Sequence, residues 1–108
     1  MAQAEINAGI CGFATRVTAR KRADGQVALE IQSDCEAIMR LASALPEVDP
    51  FREFTFRGRG PLTLQLAAKH CSHAACPVPV GIIKAVEVEA GLALPADVSV
   101  KVSKDQEE

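Results

Sequence analysis

The sequence has no tryptophan and no tyrosine, and only four phenylalanines in 108 residues. Net charge is −2, so the chain offers neither the basic footprint nor the stacking surface that nucleic acid requires. Nucleic acid is therefore not an expected partner. No apolar run approaches the roughly 20 residues needed to span a bilayer, and no membrane partner is expected either. Met1-Ala2-Gln3-Ala4-Glu5 has no basic region ahead of an apolar run, so a secretory signal is not expected and the cytoplasm is the expected compartment. Internal repeats, low-complexity linkers and breaks in composition are all missing, which leaves no reason for a second domain. Neither a phosphate-binding glycine loop nor a serine-based triad is recognisable.

What is present is ordinary for one globular unit. Apolar residues make up 48% and charged residues 24%. A chain of this length buries about two thirds of its unfolded surface on folding, enough for one core. The expectation is a single domain over residues 1–103, with a fraying polar tail at residues 104–108.

Periodicity supplies the elements. Ala4, Ile6 and Ala8 alternate with polar neighbours, as do Phe13, Thr15, Val17 and Ala19, which predicts two strands. Asp24-Gly25 supplies a turn, and Val27, Leu29 and Ile31 alternate beyond it to complete a hairpin. Ser33 or Asp34 can cap a helix that turns Cys35, Ile38, Met39, Ala42 and Leu45 inward before Pro46 stops it. Asp49-Pro50 opens a connector through Phe51, Phe54 and Phe56, which are expected to cover the core. Arg57-Gly58-Arg59-Gly60 reads as a flexible loop, and Pro61 starts a second helix that runs to about Lys69 or Cys71. Pro77 and Pro79 break the chain, and a third helix turns Ile82, Ile83, Val86 and Ala90 inward until Gly91. A last strand carries Val98, Val100 and Val102 on one face. The predicted fold is α+β: a small, mostly antiparallel sheet of three N-terminal strands and one C-terminal strand, packed against about three helices.

Four cysteines and two histidines fall at Cys11, Cys35, His70, Cys71, His73 and Cys76. In a reducing compartment such cysteines are candidate ligands or reactive thiols rather than disulfides. The hairpin folds Cys11 and Cys35 back to the same end of the sheet, about three residues or roughly 10 Å out of register. Cys35 sits in the first turn of a helix, where unpaired N–H groups favour a thiolate, although it equally fits the first core-facing position. His70-Cys71-Ser72-His73-Ala74-Ala75-Cys76 packs four possible ligands into seven residues. A tetrahedral zinc site or an iron–sulfur cluster takes three or four ligands, and Cys11, Cys35 and Cys71 with His70 or Cys76 make such a set. Read alone, Cys76 is a small buried hydrophobe and His73 a solvated residue. The spacing matches no zinc finger or ribbon, no Cys-x-x-Cys redox pair and no haem attachment sequence.

Cys11-Gly12 before a hairpin, a cysteine opening the next helix, and His70-Cys71-Ser72 late in the chain together resemble the IscU/NifU-type iron–sulfur cluster assembly scaffold, over residues 10–89. The resemblance implies a SufE/NifU-like fold, with Cys11, Cys35 and Cys71 as the three converging ligand cysteines and His70 the neighbouring histidine. The chain departs from that pattern at Phe13, where the scaffold has an aspartate, and at Gln32-Ser33-Asp34, which replace its glycine-rich approach. Pro77-Val78-Pro79 interrupts its last helix, and His73, Cys76 and the strand after Asp97 are additional. Asn7-Ala8-Gly9-Ile10-Cys11-Gly12 and the segment from His70 to Pro77 also resemble a family of small uncharacterised prokaryotic proteins.

Three functions follow as expectations. The first is a binding module for iron, zinc or an iron–sulfur cluster, with protein partners in cluster or sulfur transfer. The second is thiol chemistry at Cys35 or Cys71, with His70 or His73 as base, and the third is a protein–protein adaptor with structural cysteines. The basic patch Arg16, Arg20, Lys21 and Arg22 is expected to be a solvated strand face.

Overall fold

The computed structural model describes residues 1–105. Strands β1 (Ala2–Asn7), β2 (Ala14–Lys21) and β3 (Val27–Ser33) form an antiparallel meander in which Val17 pairs with both Ala4 and Ile31. Period-two alternation sorts their faces. Thr15, Val17, Ala19, Val27 and Ile31 are buried on one side, while Glu5, Arg16, Glu30 and Gln32 lie exposed on the other.

Helix α1 (Glu36–Ala44) packs on β3. Its buried residues are Ile38 and Leu41, followed by Leu45 beyond its end; Met39, expected inward, is 41% exposed. Both sets satisfy three-and-four spacing, and the packing of α1 against β3 and α3 selects between them. A two-residue strand β4 (Glu47–Val48) then pairs with Val27 and Ala28, and among the described residues the sheet order is β1-β2-β3-β4.

Three further helices complete the layer: α2 (Pro50–Glu53), α3 (Leu62–His70) and α4 (Val78–Glu89). Asp49 caps α2 by accepting the Phe51 N–H. Pro61, at the N-cap of α3, brings no side-chain oxygen, and the buried Glu53 carboxylate takes the role from outside, accepting from the N–H groups of Leu62 and Thr63 and from the Thr63 hydroxyl. Pro79 is tolerated inside the first turn of α4, where its missing N–H has no partner to lose. Helix α4 crosses β1 and β2 and buries Val78, Ile82, Ala85 and Val86 against them.

The class is α+β, with three N-terminal strands and one later strand under a layer of helices. The later strand is Glu47–Val48, however, and the expected strand at Val98, Val100 and Val102 is not formed. Residues 94–105 contain no helix, strand or turn, and those three valines are 63%, 83% and 88% exposed. Alternation prepares a strand, but only a partner ladder makes one. The phenylalanine connector also differs: Phe51, Phe54 and Phe56 face solvent, the first two in an edge-to-face pair, and Pro50 and Glu53 fill the interior instead. Of the expected tail at residues 104–108, residues 106–108 lie outside the described residues.

Candidate functional site: a cavity lined by thiols

Cys11 stands at the tip of the β1–β2 hairpin. Gly9 and Gly12 both take left-handed φ (85° and 74°), a conformation that glycine adopts without steric cost, and the residues between them, Ile10 and Cys11, are exposed. Backbone bonds from Ala8 N to Phe13 O and from Gly12 N to Gly9 O close the loop.

Cys35 is the N-cap of α1. Its position is held by Ser33, whose hydroxyl oxygen accepts from the Cys35 N–H at 3.1 Å and from the Thr15 hydroxyl at 2.8 Å. Thr15 pairs with Ser33, so Cys35 comes level with Phe13, two residues from Cys11 rather than the three expected. Cys71 is the C-cap of α3, and Cys76 closes a turn in the following loop by donating its N–H to the His73 carbonyl.

These three segments meet. Cys11, Cys35, Cys71 and Cys76 line one cavity of about 270 Å³ with His73, and Ile10, Phe13 and Ile38 contribute apolar wall. His70, the last residue of α3, is half-buried and is not among the lining residues; His73 borders the cavity instead. All four thiols are free, three of them half-buried and Cys11 exposed. Among the described residues, no three His, Cys, Asp or Glu side chains are grouped closely enough to hold a single metal ion.

The electrostatics favour the neutral thiol at Cys71. Burial pushes its pKa up, and the neighbouring Cys76 and Cys35 sulfurs push the same way, while Arg40 on α1 opposes them. Arg40 is the residue that sequence reasoning missed. Nothing local marks it, because its approach to Cys71 depends on α1 lying beside α3.

A second concavity, about 470 Å³, lies at the end of the sheet among Glu5, Asn7, Arg16, Gln32 and Asp34. It contains no thiol, and its Arg16 is already paired with Glu5 at 3.2 Å. The chemistry-bearing side chains are in the smaller cavity. Among the described residues, no helix is long and apolar enough to cross a membrane.

No curated protein and no solved structure matches this chain. The profile of a family of unknown function (DUF6951) matches residues 2–102, which takes in every strand and helix and all four cysteines, and the chain belongs to that family.

Proposed function

We propose that the protein binds a soft-metal group through its cysteines, an iron–sulfur cluster in preference to a single zinc ion, and serves as a scaffold or carrier in cluster assembly. The observation that carries this reading is the arrival of Cys11, Cys35 and the Cys71–Cys76 loop, three segments distant in sequence, at one cavity. Thiolate sulfur is the ligand that iron–sulfur clusters and zinc prefer.

The spacing favours a cluster. A single ion draws its ligands into one tight shell, whereas a cluster distributes its ligands over several metal atoms and suits thiols that share a cavity while, among the described residues, no three form a single-ion group. The raised pKa of Cys71 works against ligation, because burial first, then Cys76 and Cys35, favour the protonated thiol, and a binding metal must displace that proton. A thiol held protonated is correspondingly a poor nucleophile, which speaks against Cys71 as an attacking group. Ile38, buried at the cavity floor, gives a bound cluster one apolar wall. A reducing cytoplasm keeps the four thiols available, and the partners are proteins that deliver or receive the cluster. The resemblance of Cys11, Cys35 and Cys71 to the cysteines of the assembly scaffold supports iron as the metal.

Anaerobic reconstitution with ferrous iron and sulfide tests this. The expected result is a visible absorbance band with matching iron and acid-labile sulfide, which Cys35→Ser and Cys71→Ser each abolish or greatly weaken. Retention of iron no greater than in a variant with all four cysteines replaced by serine overturns the reading. Stoichiometric zinc without iron would replace the cluster by an ion.

A further inference from the structure

We propose that residues 98–102 pair with β1 of a second copy of this chain, adding a fifth strand to that copy's sheet, and that the exchange is reciprocal. Strand β1 is a sheet edge, hydrogen-bonded along one side to β2 and, among the described residues, without a ladder partner on the other. It carries no proline, lysine or bulge of the kind that natural edges use to discourage pairing.

The matching strand pattern is present in the sequence. Val98-Ser99-Val100-Lys101-Val102 alternates β-branched and polar residues, and its valines are largely exposed. The family match runs to residue 102, so this stretch belongs to the shared domain and ends with its last valine. Its five residues suit the six of β1. When the valines are set on the face of Ala2, Ala4 and Ile6, Lys101 necessarily falls on the opposite face with Glu5, whichever way the strand runs. Hydrophobic residues continue the covered face and opposite charges meet on the open one.

A second copy is favoured over the chain's own edge. Helix α4 ends beside the start of β1, where Glu89 accepts the Lys21 N–H, yet the chain beyond it stands away from the body. The molecule extends 56 Å along its longest axis against 28 and 27 Å across. Each copy also owns both an edge and an arm, so a two-fold exchange covers both edges and both arms, whereas a foreign strand on β1 leaves the arm bare.

Sedimentation or native mass spectrometry of the full chain, in reductant so that disulfides do not mimic the contact, reads the outcome. The expected species is a dimer of the 11.5 kDa chain. Val100→Asp should weaken it by about tenfold or more in dissociation constant while leaving the circular dichroism spectrum and Tm of the monomer unchanged, because Val100 is exposed. Lys101→Glu should weaken it a few-fold. A wild-type chain that stays monomeric up to its solubility limit overturns the proposal, whether residues 98–102 are then open or protected against amide exchange on their own edge. A dimer that Val100→Asp leaves intact overturns it equally.

Discussion

Gly81 lies where α4 crosses β1, and a Cβ placed there would come within 2.5 Å of Cγ1 and 2.6 Å of Cδ1 of Ile6. In most helices replacing glycine by alanine gains about 1 kcal/mol, but here the added methyl meets the branch of a packed side chain. Gly81→Ala should therefore lower stability by about 1–2 kcal/mol in urea unfolding, the overpacking penalty less the helix gain. Adding Ile6→Ala should make the two losses less than additive, because it removes the group that the methyl strikes. At this scale the sequence is informative about chemistry and nearly silent about position. Cys11, Cys35, Cys71 and Cys76 can be picked out by residue type, but the exchange of His70 for His73 at the cavity and the approach of Arg40 to Cys71 depend on where a helix ends and on which neighbour it meets.

Helix α3 is started by a residue that is not its own. Glu53, at the end of α2, is 1% exposed and satisfies two N–H groups and a hydroxyl at the first turn of α3. Arg52 closes the intervening loop by donating to the Gly60 carbonyl and the Gln65 side chain. Glu53→Ala leaves those donors buried and unpaired, and a loss of about 2–4 kcal/mol is expected from denaturant titration. Glu53→Gln keeps an accepting oxygen and should cost less. Because α3 ends at Cys71, the alanine variant should also speed alkylation of that thiol, which a mass-resolved labelling time course would detect. The long elements are legible because period two or three-and-four recurs several times within them. Four-residue α2 and two-residue β4 complete no period, so they leave no pattern to read.

At the scale of the whole molecule, Glu89 joins the end of α4 to the sheet. Its carboxylate accepts the Lys21 N–H at 2.8 Å and lies 3.3 Å from the Met1 ammonium. The Lys21 bond, with help from the ammonium, holds its pKa below the ordinary 4.5 despite the opposing effect of burial. A lowered carboxylate pKa contributes stability that is full above the unfolded-state value and is lost as pH falls through the folded-state value. Glu89→Gln should thus depress Tm at neutral pH, and thermal melts at a series of pH values should show the gap closing progressively below pH 4.5. Taken alone, the sequence determined the fold class, the three long strands, the long helices and the residue types able to hold a soft metal, because alternation, helical spacing and thiol chemistry are local properties. Tertiary structure decided which segment became the fourth strand, which face of the phenylalanine connector met solvent, and that thiols as far apart as Cys11 and Cys76 share one cavity. Each of those outcomes is a choice among partners, and a residue's partner is set by the packing of the whole chain rather than by its neighbours in sequence.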